Sequence, residues 1–80
     1  MDIKDCVVFR FRQICGERKI KLNELATLSG VTPSTVYSMM DSRRREVSIS
    51  TIKKLCDGLE ITLGEFFSTP EFDALEQEIK

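Results

Sequence analysis

The stretch Leu22-Asn23-Glu24-Leu25-Ala26-Thr27-Leu28-Ser29-Gly30-Val31-Thr32-Pro33-Ser34-Thr35-Val36-Tyr37-Ser38-Met39-Met40 decides the fold. It reads as two short helices around a three-residue turn, Ser29-Gly30-Val31. Gly30 supplies the positive φ that ends a helix. Thr32 stands where an N-cap belongs, because a residue before proline avoids the helical region. Pro33 then takes the first helical position, where a missing N–H does no harm. Ala26 is small where two helix axes cross closely, and Leu25, Val31, Val36 and Met39 fill the wedge between them. The start of the first helix of the pair is marked less well. Glu24 is placed for the returning half of a capping box, but its partner position holds Lys21 instead of Ser or Thr.

Upstream, Ile3, Val7, Phe11 and Ile14 recur at steps of four, four and three, which predicts a helix from Ile3 to about Arg18. Val8 and Cys15 widen its apolar face, and Arg10, Arg12, Glu17 and Arg18 are expected to reach water. Downstream, Asp41 to Val47 reads as a polar loop carrying Arg43-Arg44-Arg45. Ser48 caps a fourth helix, about Ile49 to Leu59, with Ile49, Ile52, Leu55, Cys56 and Leu59 on one stripe. Thr62-x-x-Glu65 is a capping box ahead of Phe66-Phe67 and predicts a short fifth helix. Thr69-Pro70 repeats the cap-then-proline signal, so a further helix through Phe72, Leu75 and Ile79 is expected. The expected organisation is one all-α, five-helix domain over residues 1–67 and an acidic tail over 68–80, helical in part.

Eighty residues make one domain. No apolar run approaches the 18 or so residues that span a bilayer, and Met1 to Asp5 lacks a signal-peptide pattern. The expected location is the cytoplasm. Three cysteines, an odd number, suit a reducing compartment and read as small core residues. With no histidine in the chain, a metal site, a cofactor and a catalytic Ser-His or Cys-His pair are not expected. The net charge of −1 argues against nucleic acid as a partner, but its distribution does not. Residues 1–67 hold 11 basic against 9 acidic side chains, and residues 68–80 hold one against four. The field of one face matters more than the total.

A helix held proud of the surface by such a pair is shaped for a DNA major groove about 12 Å wide. Thr32, Pro33, Ser34, Thr35, Tyr37 and Ser38 are then the candidate contacts on that helix. Lys21, Asn23, Arg43, Arg44 and Arg45 are the candidate phosphate contacts. For each there is a plainer reading. The arginine run can be a solvated loop, Tyr37 a partly packed surface residue, and Thr32 a cap.

The segments Leu25-Ala26, Ser29-Gly30-Val31-Thr32 and Ser34-Thr35-Val36, with Ile52 through Phe67, resemble the Cro/phage-repressor-type helix-turn-helix family, also called XRE-type regulators. The resemblance runs through residues 20–67, and the tail is similar to that of small stand-alone regulators of Gram-positive bacteria and their mobile elements. It implies a five-helix, lambda-repressor-like fold, binding to operator DNA, and often dimerisation. Many phage repressors carry Gln where this chain has Leu22 and Pro33, so contacts made through Gln do not carry over. A single hydroxyl-rich helix discriminates bases weakly, so a homodimer on a palindromic site is expected. Phe72, Leu75 and Ile79 are the dimer candidates, with packing on their own domain as the other reading. The rival function is a protein-interaction module, an antitoxin-like partner using the same fold.

Overall fold

The first helix starts at a reciprocal cap. The Asp2 carboxylate accepts the backbone N–H of Asp5 at 2.9 Å, and the Asp5 carboxylate accepts that of Asp2 at 3.2 Å. In the computed structural model, which describes residues 1–79, six helices follow one another. They are α1 (Ile3–Arg18), α2 (Leu22–Ser29), α3 (Pro33–Met40), α4 (Ile49–Gly58), α5 (Leu63–Phe67) and α6 (Pro70–Asp73). The described residues contain no strand. No helix among them is long and apolar enough to cross a membrane.

Three of the helices end in the same way. At the ends of α1, α2 and α4, one residue turns into the left-handed region: Lys19 at φ 56°, Gly30 at φ 68° and Glu60 at φ 58°. The next residue in each case is an apolar one, Ile20, Val31 or Ile61. Its N–H bonds the carbonyl five residues back, on Cys15, Ala26 or Cys56, at 3.0 to 3.1 Å. This closes the last turn and folds the apolar residue onto the core. Only the second of these ends uses glycine, so only that one was visible in the sequence.

The core gathers Val7, Phe11, Ile14 and Cys15 of α1 with Leu25, Ala26, Val36 and Met39 of the helical pair. Ile52, Leu55, Cys56, Leu59 and Phe66 complete it. Ala26 is fully buried where α2 packs against both α3 and α4. A second close approach lies at the far end of that crossing. A Cβ on Gly58 would sit 2.9 Å from the backbone of Ser29, so α4 meets α2 with no room for a side chain. All three cysteines are free and buried.

Several expectations need correction. Ile49 is not part of the buried stripe of α4; it is 62% exposed, on the rim of a groove shared with Ile3 and Val7 of α1. Ile3 is likewise largely exposed. Arg10 does not simply reach water. Its guanidinium crosses to α5, donating to the carbonyls of Phe66 at 2.9 Å and Glu65 at 3.1 Å. Arg18 donates to the Leu59 carbonyl at the end of α4. Both place a cation at a helix C-terminus, where orphan carbonyls and the dipole favour it. The last helix stops at Asp73 and does not reach Leu75 or Ile79. A helix this short has no stability of its own. It is held by Phe72 against Phe66 and Phe67, at ring-centroid distances of 5.9 and 4.9 Å. Among the described residues beyond Phe72 only Leu75 is half-buried, and Ile79 is exposed. Lys80, the end of the acidic tail, lies outside the described residues.

Candidate nucleic-acid interface

The N-terminus of α3 is organised by its own hydroxyls. The Thr32 Oγ1 accepts the backbone N–H of Thr35 at 3.3 Å, and it lies 3.0 Å from both Ser34 Oγ and Thr35 Oγ1. Three hydroxyls therefore cluster at the positive end of an eight-residue helix, a setting that favours a phosphate oxygen. Thr32, Pro33, Ser34 and Tyr37 are exposed, while Thr35 and Ser38 are half-buried. Val36, Met39 and Met40 face inward and fix the rotation of the helix. Tyr37 is 52% exposed and forms no side-chain hydrogen bond among the described residues, so its hydroxyl is free to take an outside partner. At the start of α2, Lys21 and Asn23 are exposed. The half-box read from Glu24 is present, its carboxylate accepting the Lys21 N–H at 3.2 Å.

The three arginines after α3 are not equivalent. Arg43 folds back on Asp41, with Nη2 2.8 Å from the carboxylate. That guanidinium holds the Asp41 carboxyl well below the usual carboxylate range. Arg45 reaches away from α3 to the start of α1, where Nη2 lies 2.6 Å from Asp2 and 3.1 Å from Asp5. The Arg45 guanidinium, helped by the Asp5 N–H, lowers the Asp2 carboxyl to about 2. Among the described residues Arg44 has no carboxylate partner. It shares a shallow surface groove with Thr35 and Ser38 of α3 and with Ser48 and Thr51 of α4; Glu46 lies on the same rim.

The structure thus brings Thr35, Ser38 and Arg44 together, and it turns Arg43 and Arg45 onto internal carboxylates. Phe72 is placed elsewhere, in the aromatic cluster beneath α6. Four residues near this surface were not singled out from the sequence as part of a contact surface. Ser48 and Thr51 were hidden because they are short polar residues outside the helical pair. Lys4 and Asp2 were hidden because their partners are about forty positions away. Lys4 is the one charged side chain in the interior among the described residues, 2% exposed, and its Nζ donates to the carbonyls of Asp41 at 3.2 Å and Arg44 at 2.7 Å.

Burial pushes the Cys56 thiol up to about 11 and raises those of Cys6 and Cys15, so all three stay protonated at neutral pH. Among the described residues no group of His, Cys, Asp or Glu side chains could hold a metal ion.

Residues 10–71 match the Cro/C1-type HTH DNA-binding domain. The fold is similar to the crystal structure of the prophage Lp1 protein 11. The two superpose with a TM-score of 0.81 over 94% of this chain and 100% of that one, at 29% sequence identity. A comparison with curated proteins gives no match.

Proposed function

The chain belongs to the Cro/C1-type HTH DNA-binding domain family, and from that premise we propose that it is a sequence-specific transcriptional regulator, a repressor, that docks α3 in the major groove of double-stranded DNA. The observation that carries this reading is the surface made by the capped N-terminus of α3 together with Arg44. The Thr35 and Ser38 hydroxyls share a groove with Arg44, which has no carboxylate partner among the described residues, and Tyr37 is exposed on the same helix. Thr32 and Ser34 are suited to phosphate, Tyr37 and Ser38 to base edges, and Arg44 to the sugar-phosphate backbone. Lys21 and Asn23 are suited to the flanking phosphates.

Short hydroxyls discriminate bases weakly, so the reading includes a homodimer on an inverted repeat. Leu75 and Ile79 are the better candidates for that contact, since Phe72 already packs on its own domain. The role is binding and not catalysis, it is carried out in the cytoplasm, and the likeness to a prophage protein favours a mobile-element or bacterial setting.

Selection of preferred sites from random duplex DNA tests the proposal. The expected result is an inverted repeat with half-sites about 10 bp apart. Affinity for it should fall with salt, and Arg44→Ala should reduce the salt slope by about one while weakening all sequences alike. No enriched motif and no binding at low salt would refute the proposal and turn attention to a protein partner for the acidic tail.

A further inference from the structure

Residues 1–9 precede the span that matches the family. Three of them nevertheless hold the loop that leaves α3. Lys4 buries its stem in the interior and ends with its ammonium between two carbonyls of that loop, Asp41 and Arg44. Asp2 and Asp5 hold the guanidinium of Arg45, which also donates to the Ser42 carbonyl at 2.7 Å. We infer that the first turn of α1 and its cap are a positioning element for DNA contact, one that selects Arg44 out of the three arginines as the cation presented beside α3. This rests on the DNA-binding reading above.

The physical case has two parts. An amine with so little access to water stays buried only where acceptors compensate it. Here the acceptors are backbone atoms of residues 41 and 44, so compensating Lys4 fixes the path of the loop. The Asp41 carbonyl also belongs to the C-terminal cap of α3, where a cation complements the helix dipole. With residue 44 pinned through its own carbonyl, its side chain leaves the loop toward the groove shared with Thr35 and Ser38. The second part is competition. Two carboxylates on one guanidinium imitate the oxygens of a phosphate. Arg45 can therefore reach DNA only by leaving them. Arg43 is engaged by one half-buried carboxylate two positions before it, Asp41, which accepts from both Nε and Nη2, so it too is turned away from phosphate.

The inference makes Lys4 a positioning residue and Asp2 and Asp5 internal competitors, with opposite signatures. The test measures binding to the selected inverted-repeat duplex at several salt concentrations. The proteins are the wild type, Lys4→Met, Lys4→Arg and the double variant Asp2→Asn/Asp5→Asn, each with and without Arg44→Ala. In the wild type, Arg44→Ala should remove about one unit of salt slope. In Lys4→Met it should remove almost none, and Lys4→Arg should restore part of the difference. Asp2→Asn/Asp5→Asn keeps capping oxygens while removing charge. It should steepen the slope by about one and raise affinity, because Arg45 becomes available to phosphate. This arm stands even if Lys4→Met fails to fold. Wild-type binding with both slopes unchanged in the variants overturns the inference alone. Absence of salt-sensitive binding by the wild type overturns the DNA-binding reading and this inference with it.

Discussion

Two stretches meet at Met40 and are held in place by different means. The turn and caps of residues 22–40 are made by near neighbours, though the pair is seated on the rest of the core. Gly30 turns the chain, Thr32 caps α3 from three residues away, and the Val31 N–H closes on Ala26. Residues 41–45 are fixed from the other end of the chain, by Lys4, Asp2 and Asp5 at separations of 37 to 43 positions. The first stretch sets the start of α3 by local rules that any such pair obeys. The second sets which arginine of the loop is left without a carboxylate among the described residues, through contacts that depend on where α1 begins. If α3 docks on DNA as proposed, its backbone contacts can change through a single turn at the N-terminus while the helical pair is kept.

The difference can be broken from either side. The largest effect is expected at the crossing that seats α2. In Gly58→Ala the new methyl group meets Ser29, 2.2 Å from its Oγ and 2.9 Å from its backbone. Overpacking there should cost about 3 kcal/mol in urea denaturation, with α2 and α3 loosened together. A loss below about 1 kcal/mol would mean that the two helices are less closely pressed than described. Lys4→Met should cost about 1–2 kcal/mol by leaving the carbonyls of Asp41 and Arg44 without their donor. Its amide exchange should rise in residues 41–47 and stay unchanged in 22–40. Uniform acceleration across both stretches would erase the distinction between them.

Smaller changes sharpen the contrast. Thr32→Ala removes the cap of α3 and should cost about 1 kcal/mol, read by thermal melting, without disturbing the Arg45 clamp. The clamp has its own signature in acid. Because the Asp2 carboxyl is lowered from 3.8 to about 2, the folded chain takes up that proton less readily than the unfolded chain. The stability it contributes is therefore complete above about pH 4 and is lost as pH falls toward 2. An NMR titration of the Asp2 side chain should show a midpoint near 2, moving up in Arg45→Ala. A midpoint near 3.8 in the wild type would show that Arg45 does not hold Asp2 in solution.

What could be read from the sequence follows the same division. Caps and turns announce themselves in a few adjacent residues, and so Thr32-Pro33, Gly30, Ser48 and the Thr62–Glu65 box all stood where the structure has them. Periodicity carried α1 and most of α4, but a stripe does not say which of its positions the neighbouring elements cover, and Ile49 is left exposed. The tail helix was overextended because its apolar spacing continues past Phe72, whereas the aromatic cluster that holds it does not. The left-handed ends at Lys19 and Glu60 lack the glycine that would betray them. For the interface, the composition of α3 was legible, but the ranking of Arg43, Arg44 and Arg45 was not. The Asp41–Arg43 pair is local, but the hold on Arg45 and on the Arg44 carbonyl depends on carboxylates and a buried lysine brought alongside only when α1 packs.

The central claim is that α3 and the loop after it form one DNA-facing surface. Titrating the isotopically labelled protein with its selected duplex, and following backbone amides and arginine side chains by NMR, tests it most directly. The account predicts that amides of residues 32–38 and 42–45 and the Arg44 guanidinium shift together, while those of 70–79 remain in place apart from any effect of dimerisation. Shifts concentrated in residues 70–79 and the start of α1, with α3 unperturbed, would contradict it.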